Sequence, residues 1–220
     1  MDNIAKSAGV AVPGKDIDCR DNELIHPRFV ARYARAYARL TGKSIGSSAE
    51  LIEAFYNYHA DVNIAGFKTM FNRHSDLKQF ILREDIQFIT LTRRDIPATV
   101  ASFMLAMEQQ TWRRHGGRST QEWTFSDKNM DRVNANLEYI YTSNMVLRSV
   151  PDAIALHYED LCHSEFQNPR LDAYFGRHVA LDQPAPPTDA SHYVSNWEAF
   201  VFFLQKRWEE LNSRAKDEDG

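Results

Sequence analysis

The chain has 220 residues, of which 43% are hydrophobic and 25% charged, and its formal net charge at pH 7 is −4. This composition predicts a soluble globular protein with a substantial core, and the negative balance argues against a general nucleic-acid or membrane-surface binder. No apolar run approaches the roughly 20 residues of a membrane span, and residues 1–6 lack a signal-peptide pattern, so a cytoplasmic protein is expected. The two cysteines have no metal-ligand spacing, and no metal site is expected.

Residues 1–20 contain no predicted strand, although an α/β domain usually begins with one. Gly9, Gly14 and Lys15 match part of the phosphate-loop pattern G-x-x-x-x-G-K. Asp16 follows where that loop carries Ser or Thr, and its carboxylate would repel a phosphate. We therefore do not expect a phosphate loop at this position.

Two helices are predicted before the first clear strand. The first, from Pro27 to Leu40, carries apolar residues at helical spacing, and Gly42 is expected to end it. Its opposite side is basic and contains Arg32, Arg35 and Arg39. A capping box at Ser47–Glu50 begins the second helix, which is expected to reach about His59.

Two further short elements are expected between this helix and residue 86. Residues 63–70 are compact enough for a strand that delivers Lys68 and Thr69 to a sheet edge. Ser75 is expected to cap a short helix that reaches about Leu82.

A strand at residues 87–92 is expected to be buried on both faces, because most of its residues are β-branched, aromatic or leucine. Two arginines follow it, and an apolar-periodic helix is predicted from Pro97 to Trp112. Anionic ligands bind where the carboxyl end of a strand meets a helix N-terminus. Arg94 and Ser102, eight residues apart, are therefore candidates to bind one phosphate. The alternative is an exposed arginine pair beside an ordinary helical serine.

The second half of the chain continues the alternation of helices and strands. The predicted elements are a helix from Ser126 or Asp127 to Arg148, a strand from Ala153 to His157, a helix from Arg170 to Gly176 and a helix from Ser195 or Asn196 to Leu211. Residues 115–120 are a candidate lid or acceptor loop, 183–189 a Pro-rich linker, and 214–220 a tail expected to fray. The pattern predicts one three-layer α/β domain over residues 1–220, with a parallel sheet flanked by helices.

The carboxyl edge of this sheet is expected to gather Lys68, Arg94, Ser102 and Tyr158. That set suits an anionic nucleotide, because an arginine and a hydroxyl bind phosphate and an aromatic ring contacts the base.

Several motifs, in this order and spacing, resemble the sulfotransferases that use 3′-phosphoadenosine 5′-phosphosulfate (PAPS), most closely the bacterial carbohydrate branch with the Nod-factor and trehalose enzymes. The motifs are Gly66-Phe67-Lys68-Thr69, Leu91-Thr92-Arg93-Arg94-Asp95 with Ser102, the Gln109 to Trp112 stretch, His157-Tyr158-Glu159-Asp160-Leu161 and, less specifically, Tyr193 to Trp197. The likeness covers about residues 17–210 and implies a P-loop-NTPase-like fold. It also implies transfer of a sulfuryl group from PAPS to a hydroxyl of a carbohydrate or glycolipid acceptor.

The same resemblance implies roles for individual residues. Arg94 and Ser102 are expected to hold the 3′-phosphate of PAPS, and Tyr158 to lie near its adenine. Lys68 is expected to assist departure of the bridging oxygen. Glu23 matches the acidic residue proposed as general base, which takes the acceptor's proton as its oxygen attacks sulfur. The alternative for Glu23 is a solvated surface carboxylate.

The family's opening strand and phosphosulfate-binding loop have no counterpart in residues 1–8, where they are expected about 20 residues before Glu23. The chain is therefore interpreted as truncated at its amino terminus, with a sheet that lacks its first strand and without half of the cofactor site. A loss of activity and of stability is expected from this truncation. An alternative function is a non-catalytic nucleotide-binding or regulatory module of the same fold.

Overall fold

The computed structural model of the chain describes residues 10–13, 23–69, 77, 79–81, 83–108, 122–163, 166–179 and 189–218. Several features named above lie outside the described residues. They are Gly9 with Gly14 to Asp16, the Ser75 helix cap, Gln109 to Trp112, the 115–120 loop, and the linker up to residue 188.

The described residues form a mixed α/β structure. The helices are α1 Val30–Thr41, α2 Ser48–Tyr58, α3 Ile96–Glu108, α4 Met130–Arg148, α5 Tyr158–Leu161, α6 Pro169–Phe175 and α7 Trp197–Glu218, with a 3₁₀ turn at Ala190–Tyr193. Strands β1 Ile89–Thr92 and β2 Ile154–His157 form a two-stranded parallel sheet.

Contacts group the chain into two compact units, where the sequence predicted one domain. The first takes its described residues from 1–89, 150–154 and 164–183, and the second from 90–149, 155–163 and 184–220. The residues predicted for a site are divided between them, because Glu23 and Lys68 belong to the first unit, whereas Arg94, Ser102 and Tyr158 belong to the second.

In the first unit, α1 and α2 pack together through aromatic side chains. Tyr33 and Tyr37 are fully buried, and the ring of Tyr37 lies edge-on to that of Phe55 with 5.9 Å between centroids. The basic side predicted for α1 is exposed, so this amphipathic helix is confirmed. Gly42 ends it at φ 68°, a left-handed conformation that glycine adopts without strain.

Helix α2 begins at the predicted capping box. The Ser47 hydroxyl accepts a hydrogen bond from the Glu50 N–H at 3.2 Å, and the Glu50 carboxylate accepts one from the Ser47 N–H at 3.2 Å. Replacing Ser47 with alanine is expected to lower the free energy of unfolding by about 1 kcal/mol, because a helix N–H loses its acceptor. Urea denaturation measures this loss. Ser44→Ala, at an exposed serine outside any helix, is the control; an equal loss there would contradict the assignment.

A strand was predicted over residues 63–70. The described part of this segment, residues 63–69, does not form one. These residues make isolated parallel bridges instead, one joining Ala65 to Ala11 and the other joining Lys68 to Glu23. The prediction of a continuous strand was wrong because the two bridges pair this segment with two different parts of the chain. The second bridge nevertheless positions Lys68.

In the second unit, α3, α4 and α7 surround one apolar core. It includes Val100, Met104, Leu137, Phe200 and Leu204, each at most 1% exposed. The apolar stripe predicted for α3 is therefore confirmed at its two buried positions.

Other expectations for the second unit require correction. Strand β1 is not buried on both faces, because Leu91 is 51% exposed. Helix α4 starts at Met130, since the Ser126 N–H is held in a turn by the Asn129 side chain at 2.9 Å. Helix α7 continues to Glu218, whereas the sequence placed its end near Leu211 and a frayed tail after it.

Candidate functional site

Glu23 and Lys68, which the sequence assigned separately to catalysis, are in direct contact within the first unit. Their backbones form a parallel bridge, and the Lys68 Nζ lies 2.8 Å from the Glu23 Oε1. Glu23 is only 7% exposed, so the alternative of a solvated surface carboxylate does not describe it. The Lys68 side chain is 47% exposed, which lets its ammonium contact both Glu23 and a ligand in solvent.

A third group, His26, faces the other oxygen of the Glu23 carboxylate. Its Nε2 lies 3.7 Å from the Glu23 Oε2, beyond hydrogen-bond distance but close enough for electrostatic attraction. Its Nδ1 accepts a hydrogen bond from the Arg28 N–H at 3.1 Å, so a neutral ring carries its proton on Nε2, towards Glu23. Sequence reasoning missed His26, although its position three residues after Glu23 was available as a signal.

In the second unit, the carboxyl ends of β1 and β2 bring together residues that we call the strand-end cluster. They are Arg93, Arg94, Tyr158, Glu159 and Asp160. The two strands are joined near this end by a 2.9 Å hydrogen bond between the Thr92 hydroxyl and the His157 Nδ1. This adjacency follows from parallel pairing, which places the residues after each strand at one edge of the sheet.

Arg94 is bound by an acidic side chain of the same cluster. Its two terminal nitrogens donate to the two carboxylate oxygens of Asp160 at 2.5 and 2.8 Å, a bidentate contact between residues 66 positions apart. The Arg94 side chain is 56% exposed. The neighbouring Arg93 guanidinium lies 4.4 Å from the centroid of the Tyr158 ring, within the range of a cation–π contact.

Glu159 fixes the backbone that follows β1. Its Oε1 accepts hydrogen bonds from the N–H groups of Arg94 at 3.0 Å and Asp95 at 3.2 Å. Its Oε2 is buried without a hydrogen-bond partner among the described residues. Burial acts to raise the pKa of this carboxyl, but the backbone donors and the charge of Arg93 outweigh it and hold the pKa below its usual value.

The contribution of Glu159 to the free energy of unfolding is expected to depend on pH. Because its folded-state pKa is lowered, its stabilising effect is present above the ordinary value of 4.5 and is lost as the pH falls through the folded-state pKa. We expect Glu159→Gln to reduce the free energy of unfolding at pH 7 by about 1–3 kcal/mol, with the difference from wild type shrinking below pH 4.5.

Chemical denaturation between pH 3 and pH 7 measures this pH dependence of stability for wild type and for Glu159→Gln. Glu122→Gln, at an exposed glutamate of the same unit, is the matched control and should show no such dependence. A pH-independent difference between Glu159→Gln and wild type would contradict the assignment.

The remaining predicted site residues are Ser102 and Tyr158. Ser102 lies at an exposed position of α3, beyond the first helical turn. The start of α3 is capped by the Asp95 carboxylate, which accepts a hydrogen bond from the Ala98 N–H at 2.9 Å. Tyr158 begins α5 directly after β2, and burial raises the pKa of its hydroxyl, with the nearby Cys162 adding to the effect.

Comparison with known proteins identified no significant match to a family model, to a curated protein or to a solved structure. In the described part of the chain, no group of three or more His, Cys, Asp or Glu side chains is arranged to hold a metal ion. Nor do the described residues include a helix with the length and hydropathy needed to span a bilayer. The case for a function therefore depends on the two residue groups above.

Proposed function

We propose that this chain is a PAPS-dependent sulfotransferase of the three-layer, P-loop-NTPase-like fold, acting on a hydroxyl of a carbohydrate or glycolipid. The observation that carries the proposal is the 2.8 Å contact between Glu23 and Lys68. These two residues have complementary tasks in a single transfer step, and a buried carboxylate beside a half-exposed ammonium supports both tasks.

The first unit would supply the groups that act on the reacting atoms. In sulfuryl transfer the acceptor oxygen forms a bond to sulfur, the bond from sulfur to the bridging oxygen breaks, and the acceptor loses its proton. Glu23 accepts that proton as general base. Lys68 stabilises the negative charge that develops on the bridging oxygen. Because Lys68 already contacts Glu23, its ammonium must be shared between the carboxylate and the departing oxygen.

The second unit contains an arginine that fits the 3′-phosphate of PAPS. Arg94 presents two N–H groups to two oxygens of Asp160, and this bidentate geometry is also the one in which guanidinium groups bind phosphate. In this proposal the phosphate replaces the Asp160 carboxylate as the partner of the Arg94 guanidinium. Ser102 is assigned to the same phosphate and Tyr158 to the surroundings of the adenine.

The Arg94–Asp160 contact also favours a second candidate function, a non-catalytic nucleotide-binding or regulatory module. To bind a phosphate in bidentate fashion through these same two N–H groups, Arg94 would have to give up Asp160. Such an exchange couples ligand binding to a local rearrangement, which serves a regulatory protein as well as an enzyme.

Two measurements on the purified chain test the proposal. Calorimetry with 3′-phosphoadenosine 5′-phosphate reports binding of the nucleotide, and radiolabelled PAPS with a panel of mono- and oligosaccharides reports transfer. Binding together with transfer supports the enzyme. Binding with no transfer across the panel supports the module instead, and the absence of nucleotide binding overturns both assignments.

A further inference from the structure

The charges of the first unit are strongly segregated along the sequence. Between Glu23 and Glu50 the chain has no aspartate or glutamate, although the whole protein has a net charge of −4. The cations of this stretch are Arg28, Arg32, Arg35, Arg39 and Lys43. All five residues are exposed, so the stretch forms a positive surface, which we call the arginine row.

Helix geometry aligns this row. Arg32, Arg35 and Arg39 are separated by three and four residues, which places them within an arc of about 60° and along about 10 Å of α1. Arg28 precedes the helix and Lys43 follows its Gly42 end. Within the described residues, the side chains of Arg28, Arg35 and Arg39 form no ion pair, so their guanidinium groups are available to a ligand.

An open cavity of about 490 Å³ adjoins the end of the row, and Lys43 belongs to both. Its volume lies within the roughly 300–1,000 Å³ of small-molecule sites. Besides Lys43, its lining includes the hydroxyl of Ser44 and the amides of Asn57 and Gln79, which can hydrogen-bond to sugar hydroxyls. Two carboxylates also line the cavity, and both have partners: Glu50 accepts hydrogen bonds from the Gly46 and Ser47 N–H groups, and Glu53 is ion-paired with Arg83. The lining also includes Phe80, but this ring is only 2% exposed and cannot stack on a base.

We propose that the arginine row and this cavity form a docking surface for an anionic polysaccharide that carries sulfate or carboxylate groups. Guanidinium forks match these planar or tetrahedral oxyanions, and the polar cavity matches the hydroxyls of a sugar unit. The surface is defined without Glu23, Lys68 or Arg94, so it stands independently of the proposed transfer reaction.

Other polyanions fit the surface less well. A membrane-bound amphipathic helix inserts its apolar face into the lipid, whereas Tyr33 and Tyr37 of α1 are fully buried in the protein core. Single-stranded nucleic acid needs exposed aromatic rings among the cations, and nucleic-acid-binding domains are usually basic, whereas this chain has a pI near 6.1.

Binding of the full chain to immobilised dextran sulfate, measured by biolayer interferometry, tests this proposal, with uncharged dextran as the reference. We expect wild type to bind dextran sulfate and not dextran, with an affinity that falls as salt is added. The double variant Arg35→Glu/Arg39→Glu should bind at least about tenfold more weakly, because two attractive contacts become repulsive.

The control is Arg148→Glu/Arg214→Glu, which changes the net charge equally at exposed positions of the second unit. An equal loss in this control would overturn the proposal, since bulk charge would then explain the binding. Absence of wild-type binding, or tighter binding to polyglutamate or to a single-stranded oligonucleotide, would also overturn it.

A separate variant, Asn57→Ala/Gln79→Ala, should weaken binding of dextran sulfate without altering the salt dependence. Unchanged affinity in that variant would show that the cavity does not contribute to binding of the polysaccharide.

Discussion

Replacing Arg94 with alanine is expected to weaken binding of 3′-phosphoadenosine 5′-phosphate by about 30- to 150-fold. The variant removes the only group in the strand-end cluster assigned to the 3′-phosphate as a bidentate donor, and loss of such a charge-assisted contact costs about 2–3 kcal/mol at a partly exposed position. Titration calorimetry on wild type and variant measures the change in Kd.

Arg132→Ala provides a closely matched control for this experiment. The Arg132 side chain lies in the same unit, is also 56% exposed, and also forms an ion pair, with Glu108 at 2.8 Å. Its removal should leave the Kd unchanged. If both arginine variants lose affinity equally, or if neither does, Arg94 has no special role in phosphate binding.

A second variant, at Asp160, is expected to change nucleotide affinity in the opposite direction. Asp160→Asn keeps the size of the side chain but removes the negative charge that holds the Arg94 guanidinium. Nucleotide affinity should therefore rise, by up to about fivefold, because exposed ion pairs contribute roughly 0.2–1 kcal/mol. A loss of affinity in this variant would show that Asp160 positions Arg94 for the ligand and does not compete with it.

Glu23→Gln is expected to lower the rate of sulfuryl transfer by about 10²- to 10⁴-fold, the usual effect of removing a general base. The amide keeps the shape of the side chain and its acceptor oxygen for Lys68, but it cannot take a proton from the acceptor. Affinity for 3′-phosphoadenosine 5′-phosphate should stay within about twofold of wild type, because phosphate binding is assigned to Arg94. The transfer assay with radiolabelled PAPS and calorimetry together measure both quantities.

Asp85→Asn is the control, since Asp85 is a carboxylate of the same unit that is also ion-paired, with Arg83 at 2.6 Å. This control should retain the wild-type transfer rate. Thermal unfolding of all three proteins checks that a lost rate does not reflect a lost fold. A Glu23→Gln enzyme that is folded and fully active would exclude Glu23 as the base.

The local features of the fold were accessible from sequence because they depend on neighbouring residues. The helical spacing of apolar residues predicted the buried side of α1, on which Tyr33 and Tyr37 lie, and Ser47 with Glu50 predicted the start of α2. A capping box involves groups three residues apart, so it forms wherever that pattern meets a helix start. The ends of β1 and β2 were predicted to within two residues, because the strand pattern is also set by neighbouring residues.

Where the sequence was wrong, longer-range contacts decided the outcome. Residues 63–70 have the composition of a strand, but their pairing depends on which segments lie beside them, and single bridges to Ala11 and Glu23 formed in place of a ladder. Leu91 has the character of a core residue, yet its exposure depends on whether another element covers that side of β1. The end of α7 was set too early because a charged composition is compatible with an exposed helix.

By itself, the sequence determined which side chains are available for a site, including Glu23, Lys68 and Arg94, and placed the last of them at the end of a strand. Only the tertiary structure decided their partners. It brought Lys68 against Glu23 and Asp160 against Arg94, and it added His26 and Glu159, to which the sequence had assigned no role. The physical reason is that an ion pair depends on the separation of two charges in space, and the path of the chain between them sets that separation.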